Sequence, residues 1–517
     1  MAKKKVVRGA RKPRTLSKKQ RGGSVTAPTR IGQGYSLFTG DGLNTAISGN
    51  SEDSAGRLNL SWTLCDSSEQ FLGVLGIEAS AAAGFSRIAS VDAKLEMMYS
   101  LQLTTHSVSL VVYSKHTTGT TSFYDTRLKD KAPANDTELK NFFRYYGDTY
   151  VSEIVKGGEY FAVYVFYAES KDEQLEVKAS LRASGVIEGV PVSGSLQATV
   201  GLAMKTSTTR VKFDQVVLGV KNPPELPMPD QAIDFANKFG KLNKDAPVIL
   251  GIKVRGYEHV VGMGGNFDKI ANNRTILLQL VELQGKVQRL INQIDGIRAI
   301  YDFYGGFSDK KLVDVRALAE QDIGTLDGFV DSYLENPTQD FSAAARFRPA
   351  SLNNGIPTVN HTTNTVTVGP SGGNGPAKDV NPESAVEQML AVRRLEFTNK
   401  DNMLRKMKIT YENADTGKAT VEVGGSGGSS KSRDFANKEV ITSIMGITNG
   451  KGVVSLLVAT NKGTLKSTTS GSGTPFEHSV PAGAFAVTLQ ARSDGNVLRS
   501  LSLTWAEFKP ALWLPSV

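Results

Sequence analysis

Cysteine, histidine and long apolar runs are scarce in this sequence, and each scarcity closes a class of function. A single cysteine in 517 residues, Cys65, rules out an intramolecular disulfide framework. The five histidines are scattered, and no CxxC or Cys/His spacing of a zinc site occurs. P-loop, HExxH and GxSxG motifs are missing as well. The expectation is a non-enzymatic protein with no metal and no cofactor. No apolar run approaches the roughly 20 residues of a membrane-crossing helix, and the first residues lack the apolar core of a secretory signal. By these helix-based criteria the chain is expected to be soluble in the cell that makes it, cytoplasmic or released by a non-classical route.

Acidic residues are missing from residues 1–21, MAKKKVVRGARKPRTLSKKQR, which hold ten Lys or Arg. The whole chain carries +9, so everything beyond this stretch sums to −1. The basic charge is therefore a tail, residues 1–29, too poor in apolar residues to fold. A solvated arm, a localisation or polyanion-binding segment and a protease-cleaved leader are all compatible with it. With the charge confined there, no nucleic-acid partner is expected for the folded part.

The length calls for two or three domains. Residues 30–220 show period-two patterning, and KNPPELPMPD (221–230) then breaks the chain with prolines. Ile276, Leu280, Leu283, Val287, Leu290 and Ile294 fall at helical spacing and predict a helix packed on a core. Residues 341–365 are polar and turn-rich and predict a linker. Short strand patterns return from about 366, an all-β module. The pair Gly157–Gly158 precedes EYFAVYVFYAES, a run that predicts a strand. Two glycines at the head of a strand point to a sheet that must bend.

Two segments alternate in polarity. In residues 77–97 the apolar set is Ile77, Ala79, Ala81, Ala83, Phe85, Ala89, Val91, Ala93, Leu95 and Met97, with Arg87 the only polar odd position and mostly polar residues between. In residues 175–204 it is Leu175, Val177, Ala179, Leu181 and Ala183, then, with the parity reversed after SGVIEG, Val190, Val192, Leu196, Ala198, Val200, Leu202 and Met204. Each arm is close to the roughly 9–11 residues that cross a bilayer as a tilted strand, and the alternation is that of a transmembrane β-barrel wall. An antiparallel sheet with one face on a core alternates identically. The wealth of Ala, Ser and Gly is poor material for a core strand, and stretches such as SVDAKLEMMYSLQL also carry good helix formers.

Tyr146, Gly147, Asp148, Thr149 and Tyr150, six residues, then Gly157 and Gly158, resemble the signature of the membrane attack complex/perforin (MACPF) family, with Thr149 where that family often has His. SVDAK (90–94) resembles the first inserting segment of the pleurotolysin B type. The resemblance covers residues 30–340. It implies an α+β fold, a bent central antiparallel sheet flanked by two helical clusters. It further implies that the clusters, here 70–103 and 172–212, unfurl into β-hairpins once a homo-oligomeric ring has formed on a membrane. Gly157 and Gly158 would let the sheet bend and straighten; a static bulge is the alternative. A charge at Leu181 would then stop insertion and spare the soluble fold.

VTVGPSGGNGPAKDV (366–380), MLRKMKITYEN (403–413), VVSLLVATNKGT (453–464), GTPFEHSVPAGAF (473–485) and DGNVLRSLSLTW (494–505) resemble successive strands of a jacalin-related lectin. This implies a β-prism at 366–508 followed by a tail, 509–517. The family's sugar site uses the second Gly pair of a GGxGG turn and the carboxylates of a GDxLD turn. Here Gly375 is followed by Pro376, which has no N–H, and Gly495 is followed by Asn496 and, later, Arg499, which donates and cannot accept. Mannose binding of the usual kind is not expected. Together the two resemblances imply a pore-forming toxin or defence protein, insecticidal among the options. It would act at a target plasma membrane and attach through the prism to a lipid, glycan or protein receptor, with or without a second protein component. A non-lytic, lectin-like adhesion or signalling protein on the same fold is the alternative.

Overall fold

The computed structural model describes residues 27–65, 68–77, 88–101, 107–167, 175, 177–179, 181, 200, 210–221, 225–242, 246–264, 267–370, 380, 382–387, 389–413, 417–436, 439–467 and 471–515. They form two units, one from the chain up to Asn292 with Arg316–Asn354, the other from Gln293–Val315 with Gly355–Val517.

The first unit is built on one antiparallel sheet. Its strands are β1 (Gly34–Ser36), β2 (Asp41–Gly42), β3 (Ile47–Cys65), β4 (Ser107–Leu128), β5 (Thr149–Tyr167), β6 (Arg210–Leu218) and β7 (Val248–Gly256). The order is β2-β1-β5-β4-β3, with β6 and β7 both pairing to β5. Strand β5 explains the arrangement. Its apolar residues are buried on both faces: Tyr160, Ala162, Tyr164 and Phe166 on one, Phe161, Val163 and Val165 on the other. A strand buried on both sides must be central.

The glycine pair lies in the middle of β5 and not at its head, because the strand starts at Thr149. On one edge of β5 the partner changes there: β7 pairs as far as Gly157, and β6 takes over from Glu159. On the other edge β4 is bulged between Thr117 and Gly119. A Cβ on Gly157 would stand 2.1 Å from the His116 carbonyl oxygen and 2.8 Å from the Thr117 Cα. Close backbone approach at a bulge is what requires glycine here.

Helices α1 (Ser68–Leu75) and α2 (Ala89–Leu101) stand between β3 and β4. They are followed by α3 (Asp136–Tyr146), α4 (Ala232–Phe239), α5 (Asp268–Phe303), α6 (Lys310–Glu335) and α7 (Ser342–Arg346). Helix α3 begins with a side-chain cap at Asn135. Asn135 Oδ1 accepts from Glu138 N–H at 3.0 Å while Glu138 Oε2 accepts from Ala134 N–H at 2.8 Å. The predicted stripe lies on α5, where Leu280, Val287, Leu290 and Ile294 are buried.

The second unit carries α8 (Pro382–Glu387) and strands β8 (Ile356–Val368), β9 (Ala391–Lys400), β10 (Met403–Asn413), β11 (Gly417–Gly424), β12 (Ser429–Asp434), β13 (Ile441–Asn449), β14 (Gly452–Thr460), β15 (Gly463–Lys466), β16 (Thr474–Ser479), β17 (Ala484–Ser493) and β18 (Leu498–Leu514). Three antiparallel sheets, β11-β10-β9-β12, β15-β14-β13-β16 and β17-β18-β8, make an all-β prism. Leu395, Phe397, Met407, Ile444, Leu456, Leu489 and Leu503 are among its buried residues. Two sequence expectations are corrected here. Residues 356–365, read as linker, belong to β8, and residues 509–514, read as a tail, belong to β18. The two strands pair from Val368↔Leu501 to Ile356↔Leu514. Polar Thr and Asn at alternate positions look like a linker in sequence, but the ladder needs only backbone groups. The end of α5 belongs to this unit too: Tyr301 Oη donates to the Lys509 carbonyl at 2.8 Å.

Candidate functional site

Four strands finish at the same end of the central sheet. Cys65 pairs with Ser109, Ser107 with Tyr167, and Tyr167 with Arg210. The two alternating segments leave and return there, one between β3 and β4, the other between β5 and β6.

The described part of the first segment is helical from Ala89 to Leu101. Ile77, Ile88, Val91, Leu95 and Met97 are buried against Val111, Phe161, Val163 and Val165, and Ala93 is half-buried. Ala79, Ala81, Ala83 and Phe85 lie outside the described residues. Polar groups fasten α2 as well. Ser90 Oγ donates to the Ile249 carbonyl at 3.0 Å. Lys94 Nζ stands 2.9 Å from Glu159 Oε2, with side-chain exposures of 5% and 0%, and donates to the Leu75 carbonyl at 3.2 Å. Tyr113 Oη donates to Glu159 Oε1 at 3.2 Å, and Lys115 Nζ lies 3.5 Å from the same oxygen. Burial weakens the hold of Lys94 on its proton, against the attraction of Glu159.

In the second segment residues 175, 177–179, 181 and 200 are helical. Leu181 and Val200 are buried on the opposite face of the sheet, beside Tyr160, Tyr164 and Phe166, with Val177 packed against the same cluster. Leu175 and Ala179 are exposed. Ala183, Val190, Val192, Leu196, Ala198, Leu202 and Met204 lie outside the described residues. A charge at Leu181 is therefore not neutral for this fold, as alternation alone implied. It enters a packed core.

The stretch from Tyr146 to Tyr150 is a densely bonded junction. Gly147, at φ 81, ends α3, and its N–H donates to the Phe143 carbonyl at 2.7 Å. Tyr150 is buried against Tyr257 and Phe123, and the Tyr146 carbonyl accepts from Tyr257 Oη at 3.1 Å. Thr149 Oγ1 donates to the Tyr35 carbonyl at 2.9 Å. Asp148 is fully buried; its carboxylate accepts from Leu37 N–H at 3.0 Å and Tyr333 Oη at 3.2 Å. Arg274 donates to the Asp148 carbonyl at 2.8 Å and pairs with Glu258. Burial pushes the Asp148 carboxyl above the ordinary carboxylate range, with Arg274 opposing. In sequence Asp148 stood only as a member of the signature, with no partner, and nothing pointed to Arg274, Glu258 or Tyr333. Arg274 is one of three arginines on α5, and nothing in the sequence marked it out from the other two.

Arg274→Ala strands the Glu258 carboxylate and the Asp148 carbonyl in a buried site. We expect a loss of about 3–5 kcal/mol of stability in urea unfolding. An unchanged midpoint would show that the network contributes nothing.

On the prism, Gly375 and Pro376 lie outside the described residues. Gly495 and Asn496 form the turn before β18, where Asp494 Oδ1 accepts from Asn496 N–H at 2.9 Å and Val497 N–H at 3.0 Å. Those two bonds hold the Asp494 carboxyl below its usual range. Arg499 donates to the Lys451 carbonyl at 3.2 Å and lies 3.9 Å from Asp494. Residues 368–503 match the family model of the jacalin-like lectin domain. This part of the chain is a jacalin-like lectin domain. Among solved structures, a match to wild-type Malaysian banana lectin has 22% identity over 29% of this chain and 99% of that one, with a TM-score of 0.23. For a mannose-binding jacalin-related lectin from Ananas comosus the values are 20%, 28%, 99% and 0.23. For Calystegia sepium agglutinin they are 21%, 30%, 99% and 0.23. No curated protein matches the chain. In this jacalin-like domain the turn carboxylate is occupied by its own backbone, and the neighbouring side chain is a cation.

Proposed function

We propose that the protein is a MACPF-type pore former whose jacalin-like domain attaches it to a surface glycan. The observation that carries this reading is the register of the central sheet. Stepping equally forward from Cys65 and back from Ser109 sets Ile77 opposite Met97, Ala79 opposite Leu95, Ala81 opposite Ala93 and Ala83 opposite Val91. The same step from the Tyr167↔Arg210 pair sets Leu175 opposite Leu202, Val177 opposite Val200, Ala179 opposite Ala198 and Leu181 opposite Leu196. The register is odd-to-even in this second hairpin, which accounts for the reversed parity of its sequence. Between the hairpins, the Ser107↔Tyr167 register sets Leu95 opposite Ala179. Extended without any slip, four strands present one apolar face, and a slip of one residue anywhere would destroy it.

Such a wall is stable in lipid only as a closed ring, since a lone hairpin exposes unpaired backbone groups costing several kcal/mol each. The purified protein is expected to release dye from liposomes made from target-membrane extract and to form rings on them. Protein that binds those liposomes without releasing dye would sink the pore and leave a lectin-like adhesion protein. At the jacalin-like domain, excess free mannose is not expected to displace the protein, because Arg499 offers donors where a sugar hydroxyl needs an acceptor. A mannose-sensitive attachment would refute that.

A further inference from the structure

We propose that the buried Lys94–Glu159 pair is a release latch that holds α2 on the central strand and, when broken, frees the first hairpin segment. The proposal rests on the pore reading above and adds what restrains the segment. Lys94 is the one buried charge on α2 among the described residues. Its ammonium faces Glu159 at 2.9 Å, the Leu75 carbonyl at 3.2 Å and the Phe161 ring at 4.7 Å. Lys115 and Tyr113 meet the other carboxylate oxygen. Glu159 directly follows the glycine pair, at the point where β5 changes partner from β7 to β6. Any movement of β5 at that joint carries the carboxylate with it.

The asymmetry lies in hydration. Val91, Leu95 and Met97 exchange one apolar environment, the core, for another, the bilayer. Lys94 does not: continuing the Cys65↔Ser109 and Ser107↔Tyr167 registers would set it opposite Ser80 on one side and Ser180 on the other, on the polar face. A buried ion pair recovers its desolvation cost only while both partners are in place. With Glu159 present α2 stays docked; with it displaced, an unpaired ammonium is driven toward the hydrated, extended form. An apolar pair at the two positions would pack α2 without that conditional term.

The test uses the full-length chain in hydrogen exchange and dye release. Glu159→Gln is expected to speed exchange of the α2 amides about tenfold or more, with α5 and β10 unchanged, and to shorten the lag before leakage. The double variant Lys94→Met with Glu159→Leu is expected to exchange at α2 no faster than wild type and to lengthen the lag. Faster exchange spread equally over α2, β4, β5 and α5 in Glu159→Gln would mean a purely structural pair and overturn the latch. So would a double variant that leaks sooner than wild type. Wild-type protein that never leaks overturns the pore reading instead, and the α2 exchange rates then decide by themselves whether the pair holds the helix.

Discussion

Ala179→Arg is expected to abolish liposome leakage while leaving the soluble protein's melting temperature within about 2 °C of wild type. Ala179 is exposed on its helix in the soluble form, so the new guanidinium stays in water and disturbs no packing. In the proposed extended register, which continues the Tyr167↔Arg210 and Ser107↔Tyr167 pairs without a slip, the same residue would lie mid-strand on the apolar face, between Ala198 and Leu95. An arginine facing lipid near the bilayer midplane costs about 2–4 kcal/mol. Repeated in every subunit of a ring, that cost opposes insertion many times over. Ala179→Leu is the control: it adds volume without charge and should leak like wild type. The site separates the two states, which Leu181 does not, since Leu181 is buried before insertion. Full leakage from Ala179→Arg would show that this face does not meet lipid.

Gly157→Ala is expected to lower stability by about 3 kcal/mol in urea unfolding. A methyl group there would stand 2.1 Å from the His116 carbonyl oxygen and 2.8 Å from the Thr117 Cα. Both obstacles are backbone of β4, held in ladder pairing next to the bulge, and cannot swing aside as a side chain would. Gly251→Ala provides the comparison, because a Cβ there meets nothing within 4 Å, and it should be close to neutral. Equal effects of the two substitutions would remove the close-approach argument for Gly157. The glycine then has a static reason to exist in the soluble fold, whatever it contributes to straightening.

The sequence by itself determined the alternation of both segments, the strand character of EYFAVYVFY, the helix carrying Leu280, Val287 and Ile294, and most strands of the prism. These are local properties: a period of two or of 3.6 can be counted along the chain. It also displayed the reversed parity of residues 190–204 without the means to explain it. The proposed hairpin would account for it through the odd-to-even pairing of Tyr167 with Arg210. Tertiary structure alone decided that Gly157 and Gly158 lie mid-strand, because the start of β5 is set by β1 and β7. It alone turned the polar stretch 356–365 into a strand by bringing Leu498–Leu514 beside it. It alone joined Lys94 to Glu159, and Arg274 to Glu258 and the Asp148 carbonyl. A charge among apolar residues can be seen in sequence, but its partner cannot. Whether a buried ion is tolerated depends on a counter-charge a few ångströms away in space, supplied by a residue well removed along the chain.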